Sequence, residues 1–232
     1  MASPGSASDW SFQVTPYAWF TGLSGEVGTS AGRDPVDIDL SFGDILGDLD
    51  AAGMLLGSAR KGPWMLLFDT TFSRVTPSEV LGGVFLSGVE IESTTRTLTL
   101  AAGRRVFLRE QASIDIYAGA RAWWLDTDVT LRTAGGRTLR TDQSENWIDP
   151  IVGVSGVWRP RDRWALFAAL EAGGFGITAD RQSSVFVGAS YAFNELVAAT
   201  LGWRRLAVDY RDGEFLYDAT QTGPVFGATI RF

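Results

Sequence analysis

The chain has 232 residues, 45% of them hydrophobic and 20% charged, with a formal net charge of -7. That length suits a single sheet-based domain, and the acidic balance argues against a nucleic-acid partner. The absence of both Cys and His removes disulfides, thiolate sites, the commonest general base and the commonest metal ligand, so no metal or cofactor is expected.

Residues 1–9 carry neither a basic stretch nor an apolar stretch of the kind an export signal needs. They are expected to be a disordered leader or an added remnant, with 10–232 as one domain. No run of about 18 uncharged apolar residues exists, so no helix is expected to span a bilayer. From Trp10 onward the apolar residues recur with period 2, the strand period. In the first strand Trp10, Phe12, Val14, Pro16, Ala18 and Phe20 share one face, and Ser11, Gln13, Thr15, Tyr17 and Trp19 share the other. Ser41 to Leu49 breaks the alternation and reads as a short helical turn capped by Ser41, either a plug or a surface turn. Strands follow over 51–60 and near 64, 97, 114, 150, 164, 187 and 197. The last runs to Phe232, with Pro224, Phe226, Ala228, Ile230 and Phe232 in phase.

The total is about ten strands, with 8 or 12 as alternatives. Tight polar connections at 61–63, 109–112, 159–162 and 193–195 alternate with longer crossings at 24–50, 75–88, 126–146, 178–183 and 211–215. The short connections, with both termini, fall on one side.

One face of each strand carries Trp, Phe, Leu and Ile. The other carries small residues and isolated charges: Arg60, Asp69, Arg105, Arg121, Asp149, Glu171 and Arg204. A soluble domain would load that second face with Lys and Glu, yet Lys61 is the only lysine. The bulky face therefore reads as an outer wall against lipid, and the small face as a lumen with a mixed charge network. Trp64, Trp124, Trp158, Trp164, Tyr191 and Trp203 read as an interfacial aromatic girdle. An open sheet edge in hydrocarbon leaves backbone groups unpaired, which requires closure. The expected fold is all-β: a closed antiparallel up-and-down transmembrane barrel.

The terminal Gly227-Ala-Thr-Ile-Arg-Phe232 resembles the C-terminal signal of bacterial outer-membrane β-barrel proteins. Asn146-Trp-Ile-Asp-Pro-Ile-Val-Gly153, Gly173-Gly-Phe-Gly176 and Leu201-Gly-Trp-Arg-Arg-Leu-Ala-Val-Asp-Tyr210 resemble a broad group of uncharacterised small outer-membrane proteins. The resemblance implies an outer-membrane location and contact with outer-membrane lipids and lipopolysaccharide. It also implies that Phe232 is the signal read by the barrel-assembly machinery.

Outer-membrane barrel proteases use His–Asp and Asp–Asp pairs, and barrel acyl enzymes use a His base beside Ser. A chain without His builds neither, so no enzyme is expected. The first functional expectation is a narrow pore or passive carrier for small polar solutes. The alternatives are a closed structural or adhesion-type barrel with a charge-plugged lumen, and a soluble lipid-binding barrel of the lipocalin type. Opposite signs at near parity favour mutual pairing of the lumen charges over ion selectivity.

Overall fold

The computed structural model describes residues 10–28, 36–76, 86–133, 138–213 and 215–232; the leader expected over 1–9 lies outside them. In chain order the elements are β1 (Ser11–Trp19), β2 (Gly22–Gly28), β3 (Val36–Leu40), α1 (Phe42–Gly47), β4 (Leu49–Lys61), β5 (Trp64–Val75), β6 (Leu86–Leu108), β7 (Ala112–Thr133), β8 (Thr138–Arg161), β9 (Trp164–Gly173), β10 (Arg181–Ala192), β11 (Val197–Asp212) and β12 (Phe215–Arg231).

Each strand from β4 to β12 pairs antiparallel with the next. β1 pairs with β4 on one side and β12 on the other, closing a ten-stranded barrel. At the seam Val14 lies opposite Ile230 and Trp19 opposite Val225. The seam is tied at its base by the Phe12 and Phe232 backbones, N to O at 3.1 and 2.9 Å. β2 continues along the upper part of β12, and β3 pairs with β2 outside the closed wall.

Burial is inverted relative to a water-soluble protein. Leu66, Leu100, Ile148, Leu170, Leu201 and Phe226 are exposed on the outer wall, while Arg121 and Asp149 are 1% and 0% exposed inside. Only a surface facing lipid makes that distribution favourable, because apolar area contacts hydrocarbon and charges keep their partners. The protein is a membrane-spanning β-barrel, with its short turns on one rim.

Two of the expected connections depart from the sequence expectation. Residues 126–146 are a hairpin rather than an outer loop, because β7 and β8 run 22 and 24 residues. About 9–11 residues cross a bilayer, so these strands continue into water. There Asp126, Thr127, Asp128, Asp142, Gln143 and Ser144 make successive positions polar and mask the alternation, but backbone pairing persists from Asp126↔Ser144 to Arg132↔Thr138. Residues 178–183 are likewise split between a turn and the start of β10.

The capped turn at Ser41 is α1, with Ser41 and Asp44 forming a reciprocal capping box. It buries no residue. It lies against the wall through Phe42, whose ring meets Phe20 edge-on at 4.9 Å. α1 is therefore not a lumen plug.

Candidate functional site: the lumen

The lumen is ordered in three levels. Across β5 to β8 one row of inward residues stands in register, Asp69↔Thr99, Thr99↔Arg121 and Arg121↔Asp149. This row forms the middle. Arg204 reaches across from β11 to Asp69 at 2.6 Å. The Tyr17 hydroxyl donates to Asp69 and accepts from Arg204, both at 2.7 Å, and the guanidinium lies over the Trp19 ring. Beside it, Arg121 donates to Thr99 at 2.7 Å and to Glu171 at 3.0 Å. Asp69 with Arg204 and Glu171 with Arg121 are thus paired carboxylate to cation, which offsets the cost of taking them out of water.

Above this level the lumen is aromatic. Trp147 stacks on Tyr210 at 3.9 Å and on Trp123 at 5.5 Å, with Tyr217 packed against both. Both indole N–H groups are satisfied, Trp123 by Gln182 and Trp147 by Asp149, each at 2.9 Å. The second Asp149 oxygen accepts from the Ala179 amide at 2.8 Å. That bond holds the β9–β10 connection over the top, where Gly174, Phe175 and Gly176 all take positive φ. Leu206, Val208 and Val225 fill the rest. The upper half is a packed core.

Below the middle level lies a cavity of about 320 Å³. Arg60 and Arg105 both pair with Asp115, at 2.7 and 3.1 Å. Arg159 and Arg231 line the same cavity close to the short turns. Phe167 and Phe186 form an edge-on pair at 4.9 Å on one wall. Each sits over a glycine: a Cβ on Gly188 would come within 2.6 Å of Phe167, and one on Gly202 within 2.7 Å of Phe186.

The seven charges singled out from sequence therefore belong to different levels. Asp69 with Arg204, and Arg121 with Glu171, are direct pairs. Arg60 and Arg105 meet through Asp115, which the sequence reading omitted. Asp149 faces Arg121 but bonds to neither charge nor solvent. The reading also omitted Tyr17, Trp123, Trp147, Gln182, Arg159 and Arg231. Parity along β7 and β8 places Ser113, Asp115, Tyr117, Arg121 and Trp123 on one face, a signal sufficient to find Asp115 and Trp123.

Trp64, Trp158, Trp164 and Tyr191 stand on the outer wall near the short turns, Trp164 and Tyr191 in edge contact at 5.1 Å. Trp124 is on the outer wall, twelve residues above the turn-side start of β7 by chain count. Trp203 stands part-way up β11, where its indole donates to Thr222 at 3.1 Å. Phe232 projects outward and is 69% exposed.

No protein-family model matches the chain, and no curated protein matches it either. Solved structures do. The outer membrane protease OmpT from Escherichia coli aligns with a TM-score of 0.55 at 10% identity, over 97% of both chains. The translocator domain of autotransporter NalP from Neisseria meningitidis gives 0.49 at 11% identity, over 97% of this chain and 89% of that one. Ail, the attachment invasion locus protein of Yersinia pestis, gives 0.39 at 12% identity, over 97% and 99%. At such identities the likeness to OmpT is one of fold: a closed outer-membrane barrel.

Proposed function

We propose that the protein is a non-catalytic outer-membrane barrel closed to through-passage, holding a small molecule in a polar chamber that opens toward the periplasm. The observation that carries the reading is the continuous plug above the chamber. Trp123, Arg121 and Ile151 are each 1% exposed and Asp149 0%, and Trp123 packs with Trp147, Tyr210 and Tyr217 into one cluster at that height. Short turns mark the periplasmic rim in this fold, and the chamber's lowest charges adjoin them. The charge network acts here as closure rather than as a selectivity lining. The wall sits among outer-membrane lipids and lipopolysaccharide, and the exposed Phe232 side chain is offered to the assembly machinery.

The protein refolded into planar bilayers tests this directly. No stepwise conductance is expected from wild type. Discrete channels would overturn the closed reading and favour the narrow pore for small polar solutes, which the polar lower chamber favours in its own right.

A further inference from the structure

The chamber's charge is opposite to that of the chain. The protein carries a net charge of -7, yet the chamber is lined by Arg60, Arg105, Arg121, Arg159, Arg204 and Arg231 against only Asp69, Asp115 and Glu171. Two of those carboxylates are used in the middle level, one cation each. Asp115 alone serves both Arg60 and Arg105. Among the described residues no carboxylate pairs with Arg159 or Arg231, and Arg159 lies within Coulombic range of Arg60, Arg105 and Arg231. Like charges gathered in a low-dielectric cleft focus a field that draws in counter-ions.

Arg121, 1% exposed, closes the inner end of the chamber. Close by, the wall is apolar: Phe167, Phe186, Met65 and Val157. The volume of about 320 Å³ is at the small end of ligand pockets, which run from about 300 to 1,000 Å³.

We propose that the chamber binds a small organic anion from the periplasmic side, a carboxylate bearing a short apolar body. The arginines at the mouth take the charge, and the Phe167–Phe186 wall takes the body. The inference rests on the chamber being closed above, as in the preceding section, but it is tested separately.

The test is calorimetric titration of the refolded barrel in zwitterionic detergent with benzoate and with its neutral isostere benzamide. Wild type, Arg159→Gln/Arg231→Gln and Arg181→Gln, a charge removed from the outer rim, are compared, with folding verified by heat-modifiable gel migration. Benzoate is expected to bind, to weaken as salt rises, and to lose about tenfold in affinity in the double variant but not in Arg181→Gln. Benzamide is expected to bind at least about tenfold more weakly than benzoate. Benzamide binding as tightly as benzoate, unchanged affinity in the folded double variant, or no benzoate binding to folded wild type would each overturn the proposal. Conductance of the same preparation separates the two readings. A conducting barrel that binds benzoate overturns closure alone, and a silent barrel that ignores benzoate overturns the anion site alone.

Discussion

Arg121 and Asp149 stand directly opposite one another on β7 and β8, yet they do not pair. Arg121 turns toward Thr99 and Glu171, and Asp149 spends both oxygens on the Trp147 indole and the Ala179 amide. The boundary between the charged middle and the aromatic top runs between these two residues. Asp149 therefore serves the outer cap, and the cap is anchored by an acid rather than by packing alone.

Asp149→Ala should loosen that cap. It leaves a buried indole N–H and a buried amide without an acceptor, each costing about 1–3 kcal/mol. Urea-unfolding equilibria in lipid vesicles would show the loss, and hydrogen exchange at Ala179 should accelerate. Wild-type exchange at Ala179 would refute the anchoring role.

Arg204→Met should destabilise the barrel by about 3–5 kcal/mol, the usual cost of leaving a buried charge alone. Arg204→Met combined with Asp69→Asn should recover much of it. The same urea assay checks this, and a double variant as weak as the sum of its singles would show that the two groups are not coupled.

Gly153 lies beneath the Tyr117 ring so closely that any Cβ collides with it. Gly153→Val should cost about 1–3 kcal/mol through overpacking, and Gly153→Val with Tyr117→Ala should cost less than Gly153→Val alone. The comparison is read from unfolding midpoints.

Thr222→Val removes the acceptor of the Trp203 indole within the lipid-facing wall. An unpaired donor there should cost about 1–3 kcal/mol, whereas Trp203→Phe/Thr222→Val should lie closer to wild type. If Thr222→Val alone is neutral, the indole is finding another acceptor.

Hydrogen bonds from Ser41 hold the Asp44 carboxyl below its ordinary value of 3.8. A depressed acid stabilises above the unfolded value, and that contribution is lost as pH falls through the lower folded one. α1 should therefore keep its capped amide shifts at pH 5 and lose them below about pH 3.8. Residue-level NMR in micelles reads this, and Ser41→Ala should bring the Asp44 titration up toward the ordinary value.

The barrel itself was legible in the sequence because period-2 alternation needs only local information: Phe12, Val14 and Pro16 face out whatever their partners. The inward identities of Trp123 and Trp147 were also available by parity with Arg121 and Asp149. The pairings were not. Asp69 meets Arg204 across 135 residues, a distance set by the stagger at which the sheet closes, and no local pattern encodes that stagger. The long β7–β8 hairpin escaped for a different reason. Above the membrane both faces are wet, so Asp126, Thr127 and Asp128 look like a loop although the ladder continues through them.

The seam has a consequence for how this wall comes into being. β1 pairs with β12, so the join brings together strands separated by all the intervening hairpins, and such remote partners meet late. Until they do, two rows of bare amides and carbonyls would lie in oil. Insertion is therefore expected to be all-or-none, and a chain trapped before the join should be found at the membrane surface rather than part-way across.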